Sequence, residues 1–391
     1  MTKKRLVIHS NAPFAGSGYA TQTDWLSKLA LQAGWDVKIS AFYGLQGGSV
    51  QAGPLEILPG TFGSYGEDAI VPYWKLYNPD VFMLLIDVWV YPHDVLRAGP
   101  ISSWCPVDAE PIPLPVMEKL NSVKHILAMS RFGEREMRKV GFDPFYVPHA
   151  FNPTYFHPID RPTARQEVKI KDGAFTVVCV AANKGYPPRK NHDRLLKAWS
   201  IFIQDHPDAV LILHTLTNQA HGGIDVAGIC QYYQIPPHNI LLPDPLKFHT
   251  GYYGPDFLNK LYNAADAFIL PSAGEGFGIP AIEAQAAGCP VILSDWTAQS
   301  ELAEVGYKIP IDRVDDVLIN PQLSEQALPK VSEILKGLDW AYEQRNDPKP
   351  RYMAQQFARD YRAEVVFSRH MLPALETMAE INADLKGAKA S

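Results

Sequence analysis

One stretch constrains this chain more than any other, residues 270–296, LPSAGEGFGIPAIEAQAAGCPVILSDW. The apolar run 266–270 (DAFIL) predicts a short buried strand that stops at Pro271-Ser272. A loop of small residues, AGEGFG, follows, and a helix then opens with Pro280 as a first helical residue and Gly288 just past its end. Proline inside the start and glycine beyond the end limit this helix to about two turns. Residues 290–294 (PVILS) predict the next strand. Strand, glycine loop, short helix, strand is the pattern that places a ligand at the carboxyl ends of parallel strands. Glu275 stands in the loop, and Glu283 is predicted in the first helical turn, where the macrodipole favours a carboxylate. Gly276, Phe277, Gly278 and Ile279 offer backbone N–H groups at the helix N-terminus, an anion site.

Two glutamates eight residues apart arise by chance on many charged helices. Here they arrive inside PS-x-x-E-GFG-x-P-x-x-E-A-x-A-x-G-x-P-V, and that pattern closely resembles the donor-site signature of the retaining family 4 glycosyltransferases, which have the GT-B fold. The resemblance implies an α/β chain of two Rossmann-like domains facing across a cleft, with a nucleotide sugar held by the second. It also implies that Glu275 meets the transferred sugar and Glu283 the ribose hydroxyls. Residues 175–182 predict the first strand of that second domain, and a helix follows over 191–204 with Leu195, Leu196, Ala198, Trp199 and Phe202 as its buried stripe. In the resembled family an Arg and a Lys at this strand–helix junction grip the donor diphosphate. Positive charge is required there because the leaving diphosphate gathers negative charge. Lys190 matches the family's lysine before Asn191, and the arginine's place falls to Arg189 or is taken by Lys184.

The chain opens with a predicted strand at 6–9, the loop NAPFAGSG, a helix over 19–33 and a strand at 37–42. This βαβ unit raises a dinucleotide reading, but Thr21 stands where the third glycine belongs and no acidic residue closes the second strand. An oxidoreductase is therefore disfavoured. Gly16 and Gly18 match the glycine loop that, in the resembled family, lets donor phosphates and acceptor approach. The family commonly has a histidine at the end of the strand near 103–113; SWCPVDAEPIP offers Asp108 and Glu110 there instead. We take Asp108 with Glu275 and Lys190 as the catalytic candidates. No cofactor or metal is expected, the co-substrate being a UDP- or GDP-sugar and the enzyme a retaining, metal-independent hexosyl- or pentosyltransferase. Family analogy suggests a front-face displacement in which departing phosphate helps to deprotonate the acceptor.

The 391 residues suffice for two or three domains. We expect an acceptor domain over 1–155, a linker over 156–174, a donor domain over 175–345, and C-terminal helices over 346–391 crossing back to the first domain. Residues 44–68 are glycine-rich and poorly periodic, which predicts a mobile loop, and helical patterns run over 323–338 and 353–378. Four cysteines lie scattered without CxxC pairing, and the apolar core LVI is too short for a signal peptide. A reduced, cytoplasmic protein is the expectation. The formal net charge of −6 gives no global attraction to nucleic acid or anionic lipid. A local exception is Lys119, Lys124, Arg131, Arg135, Arg138 and Lys139, a basic stretch that could support peripheral membrane contact, although Glu118, Glu134 and Glu136 dilute it. Two other readings stand beside glycosyl transfer to a sugar, lipid or protein hydroxyl. One is a non-catalytic nucleotide-sugar binding protein; the other keeps the enzyme but makes the acceptor a hydroxylated nucleic-acid base.

Overall fold

The structure is a computed structural model that describes residues 3–219 and 221–390. The chain divides into two compact units. The first comprises residues up to Asn152, 322–324 and those from Tyr361 onward, and the second comprises Pro153–Pro321 and Glu325–Asp360.

The first unit is built on an eight-stranded sheet. Its strands are β1 (Arg5–Asn11), β2 (Asp36–Tyr43), β3 (Val50–Ala52), β4 (Leu55–Leu58), β5 (Val81–Leu85), β6 (Ile101–Cys105), β7 (His125–Ala128) and β8 (Phe145–Tyr146). They lie in the order β3-β4-β2-β1-β5-β6-β7-β8, parallel throughout except for the β3–β4 hairpin. Parallel strands covered on both faces read as unbroken apolar runs, and β5, VFMLL, is buried at every position. The core gathers Val7, Phe82, Leu84, Ile101, Ile126 and Phe132.

Residues 44–68 depart from the expected mobile loop. Leu55 and Ile57 are buried, and β4 pairs in parallel with β2 and antiparallel with the edge strand β3. The stretch hid its strand because the apolar run is only LEIL and the turn before it is made by Gly53 at φ +60°. The C-terminal helix Leu372–Ala390 belongs to this first unit. Asn382 bridges His125 Nε2 at 2.9 Å and the Asp80 carbonyl, also at 2.9 Å. The pattern read over 353–378 is not one helix: Pro348–Ala358 ends before Tyr361, and 3₁₀ and π turns follow.

The second unit carries β9 (Thr176–Val180), β10 (Val210–His214), β11 (Ile240–Leu241), β12 (Ala267–Leu270), β13 (Val291–Ser294) and β14 (Tyr307–Ile309). All six are parallel, in the order β11-β10-β9-β12-β13-β14. The helix His192–Asp205 buries the predicted stripe, including Trp199 and Phe202. A hairpin of β15 (Val317–Ile319) and β16 (Glu325–Ala327) follows, so helix begins only at Val331, not at 323 as the apolar pattern suggested.

The stretch 156–174, read as a linker, folds as part of this unit. Asp160 caps the helix Arg161–Glu167 by accepting from the Thr163 N–H at 3.0 Å. The buried Arg165 donates to the carbonyls of Ala264 (3.0 Å), Lys171 (3.0 Å) and Ala174 (2.6 Å). A buried guanidinium is tolerated only when so many of its donors are satisfied. Proline and charge made the stretch look like a spacer, whereas Arg165 bolts it to the unit from within.

Candidate functional site

In the second unit the strand order reverses between β9 and β12, which pair at Ala267–Val177 and Phe268–Val178. Their chains leave the sheet at the same carboxyl edge toward opposite neighbours, β10 and β13. In an open α/β sheet such a reversal is the usual ligand position. Lys190 lies on the loop after β9 and Glu275 on the loop after β12.

Backbone contacts stitch the two loops together. The Ala273 N–H donates to the Arg189 carbonyl at 2.7 Å, the Ser272 hydroxyl donates to the same carbonyl at 3.2 Å, and Asn191 Nδ2 donates to the Pro271 carbonyl at 2.8 Å. Asn191 takes φ 51° as it caps the helix, a left-handed conformation that Asn tolerates better than most residues. With the loops so held, Lys190 Nζ contacts Glu275 Oε1, and Arg189 Nη1 stands 3.8 Å from Oε2. The Arg189 guanidinium also donates to the Gly274 carbonyl. Glu275 is only 9% exposed. Burial alone would raise its pKa, but the Lys190 and Arg189 cations outweigh it and hold the carboxyl below its ordinary range.

Behind Glu275, its own N–H donates to Thr297 Oγ1 at 3.0 Å. Thr297 adopts φ +53° and ψ −143°, a sparsely populated conformation for a β-branched residue. Its strain has no sequence signature, since only the fold shows what it holds.

The loop Gly276-Phe277-Gly278 is buried and turns into the helix Ile279–Ala286. Gly278 is its N-cap at φ +107°, and Gly288 follows its end at φ +81°. Glu283 is the fifth residue of that helix rather than part of its first turn, and it does not behave as a macrodipole-stabilised carboxylate. It is 5% exposed, the Tyr262 hydroxyl donates to its Oε2 at 3.3 Å, and burial pushes its pKa up to about 8. That shift favours the protonated acid near neutral pH. Helix position was judged from spacing, and spacing did not show that Tyr262 would close the carboxyl in.

Of Lys184 and Arg189, Arg189 is the one that approaches the Glu275 loop. The Lys184 side chain is exposed, and its backbone bridges Gly222 rather than the Glu275 loop. The neighbouring Asn183, at a position where the resembled family has "GR", is a structural residue. Its Nδ2 donates to the carbonyls of Leu216 (3.0 Å) and Ile224 (2.7 Å), and its Oδ1 accepts from the Ile224 N–H at 2.9 Å.

Gly16, Gly18 and Asp108 lie in the first unit. Gly16 is exposed with open space where a Cβ would be, and Gly18 opens the helix Gly18–Gln32, capped by Ser17. Asp108 is half-buried on the loop after β6. Near it, the Tyr19 hydroxyl donates to Asp87 Oδ2 at 3.2 Å at the end of β5, a pair the sequence did not suggest. Burial, with Asp87 and Asp108 close by, pushes the Tyr19 pKa well up. The basic stretch is largely committed to its own carboxylates. Arg131 pairs with Glu134 (2.7 Å), Arg138 with Asp143 (2.6 Å) and Lys139 with Glu136 (2.7 Å), while Phe132 and Met137 face the core. No helix among the described residues is long and apolar enough to cross a membrane.

Residues 174–336 match the family model described as "Glycosyl transferases group 1". The chain is 28% identical over 148 residues to mannosylfructose-phosphate synthase of Agrobacterium fabrum, covering 38% of this chain and 32% of that protein. It is 22% identical over 213 residues to alpha-galactosylglucosyldiacylglycerol synthase of Streptococcus pneumoniae, covering 51% of each. The chain thus spans between about a third and a half of the length of these relatives. Among solved structures, sucrose-phosphate synthase from Thermosynechococcus elongatus superposes with a TM-score of 0.72 at 17% identity over 99% of this chain and 100% of that one. WaaG, a glycosyltransferase involved in lipopolysaccharide biosynthesis, does so at 0.65 and 14% identity over 96% and 99%. At such identities the likeness speaks for architecture, and with both main sheets parallel apart from the β3–β4 hairpin, and Rossmann-like, the chain has the GT-B fold.

Proposed function

We propose that the protein is a retaining glycosyltransferase that moves a hexosyl or pentosyl group from a nucleotide sugar, UDP- or GDP-linked, to an acceptor hydroxyl. The observation that carries this reading is the convergence of Lys190 and Arg189 on Glu275 at the strand-order reversal of the second unit. Two cations suit a diphosphate whose charge grows as the glycosidic bond breaks. They also supply the neutralisation that a metal would provide, so the reaction needs none. Glu275, engaged by both cations, is better suited to hold sugar hydroxyls than to attack an anomeric carbon. Glu283, on the adjacent helix, takes the ribose. The names of the matching relatives, a mannosylfructose-phosphate synthase and a diacylglycerol glycolipid synthase, agree with glycosyl transfer and leave the acceptor open between sugar and lipid.

The test is turnover of UDP-, GDP- and ADP-sugars with a panel of acceptors spanning sugars, glycolipids, protein and hydroxylated nucleic acid, with the product anomer read by NMR. Retention, and activity that survives EDTA, are expected. Tight nucleotide binding without turnover of any pair would leave a nucleotide-sugar binding protein. Inversion, or loss on chelation restored by Mn²⁺, would overturn the mechanism.

A further inference from the structure

The two cations assigned to the donor diphosphate already hold an anion. Glu275 presents one carboxylate oxygen to each, Oε1 to Lys190 and Oε2 to Arg189. The arrangement is built. The Arg189 carbonyl accepts from Ala273 and Ser272, Asn191 ties the loops at Pro271, and Thr297 fixes the Glu275 backbone. The side chains of Lys190 and Glu275 are 13% and 11% exposed, so water and salt screen their attraction weakly. In charge and oxygen spacing the carboxylate stands in for one phosphoryl group of a diphosphate. A diphosphate seated on Lys190 and Arg189 must share those cations with Glu275 or displace it. A buried carboxylate that loses its cation is costly unless other donors replace it.

An intact nucleotide sugar brings those donors, because its sugar hydroxyls reach the carboxylate as its phosphates take the cations. Once the sugar has been transferred, the nucleoside diphosphate holds the cations while Glu275 is left with the Ser272 hydroxyl but no cation. We infer that Glu275 is the group that releases the spent nucleotide: its carboxylate reclaims Lys190 and Arg189 once the sugar is gone. This rests on the donor-site reading above. The consequence is that the same residue tightens donor binding and loosens product binding, which keeps product from clogging the site.

Calorimetry with pyrophosphate, UDP and GDP at low ionic strength tests it. Glu275→Gln, which removes the charge and nearly keeps the shape, is expected to bind pyrophosphate and the matching diphosphate at least tenfold tighter than the unaltered protein. The double variant Lys190→Met with Glu275→Gln should bind pyrophosphate no more than about threefold tighter than Lys190→Met alone. In the unaltered protein the intact nucleotide sugar should bind tighter than its own diphosphate, a comparison that needs no variant to fold. Equal or weaker pyrophosphate binding by Glu275→Gln, or a diphosphate that outbinds its sugar in the unaltered protein, overturns the release role while the donor site stands. Absence of binding of every phosphate ligand to the unaltered protein overturns the donor site and the release role together.

Discussion

Lys190 and Glu283 show how the second unit holds two ionisable groups in opposite states. Lys190 is charged and partnered. Its value should be greatest when the diphosphate departs, so Lys190→Ala is expected to lower kcat by on the order of 10²-fold, with donor KM rising less. Turnover at saturating donor measures this, and a raised KM with unchanged kcat would reduce Lys190 to a binding residue. Arg189→Ala should act in the same direction more weakly, since Arg189 stands farther from Glu275 and is more exposed. Glu283 is the reverse case, a buried acid raised to about 8. A carboxyl raised in the folded state stays protonated there while the unfolded chain ionises from about 4.5 upward. Its contribution is therefore favourable below pH 4.5 and is lost as pH rises toward 8. Glu283→Gln should stabilise the unliganded protein at pH 8 relative to the unaltered chain, by at least about 1 kcal/mol more than at pH 5. Ribose hydroxyls favour the ionised form, so nucleotide affinity of the unaltered protein should strengthen between pH 6 and 8, whereas Glu283→Ala should bind nucleotide more weakly throughout. Thermal midpoints and titrations at the two pH values decide, and a pH-independent difference would remove the buried acid from the account.

The helix Ile279–Ala286 is the element on which both glutamates depend, and its two flanking glycines do different jobs. Gly288, at φ +81°, ends the helix, and a Cβ there would meet the far end of the Gln355 side chain, which can move. Gly278, at φ +107°, aims the loop that carries Glu275, and its Cβ would meet Leu302 Cδ1 at 3.3 Å. Gly288→Ala is expected to cost about 1 kcal/mol of stability with the site intact. Gly278→Ala should cost about 1–3 kcal/mol and also weaken nucleotide binding. Denaturation and calorimetry on the pair would contradict this if the two variants behaved alike. This helix, its strands and Gly278 were legible in the sequence because proline, glycine and apolar runs are local signals. The Glu275–Lys190 contact spans 85 residues and was reachable only through the resembled pattern. The Tyr262 partner of Glu283, the strained Thr297 and the edge strand within 44–68 left no local signal, since each depends on what packs against it. Likewise, that Arg189 rather than Lys184 approaches Pro271–Gly274 depends on which loop face meets that stretch, and spacing is silent on that.

Across the molecule, buried histidines divide unequally between the two units and set a difference in acid tolerance. In the first unit, burial lowers His9 to about 4 and His149 to about 3, and it also lowers His125 and His370. At His9, burial outweighs the Tyr65 carbonyl, which one ring nitrogen meets at 2.9 Å and which on its own would favour the charged ring, while the other ring nitrogen meets the Ser40 hydroxyl at 2.8 Å. In the second unit, burial lowers His192 and His214 to about 4. A depressed histidine contributes stability that is present above pH 6.5 and is lost as pH falls toward the folded value, because the unfolded ring takes up a proton first. Each such ring steepens the fall by up to about 1.4 kcal/mol per pH unit. Four rings act in this way in the first unit. In the second, two do, and Glu283 works against them over the same range because it holds its proton when folded. The urea midpoint of the first unit should therefore fall more steeply than that of the second between pH 7 and 4.5. His214 offers a clean probe of the slope, since it sits among Phe248, Tyr253 and Phe257 at centroid distances of 5.0, 5.3 and 6.4 Å, and phenylalanine fits that company. His214→Phe should flatten the second unit's decline between pH 6.5 and 4.5 by roughly one proton. Unit-specific tryptophan signals or hydrogen exchange would resolve the two transitions. Parallel slopes in both units, or an unchanged slope in His214→Phe, would mean that the rings are solvated well enough to titrate in the folded protein.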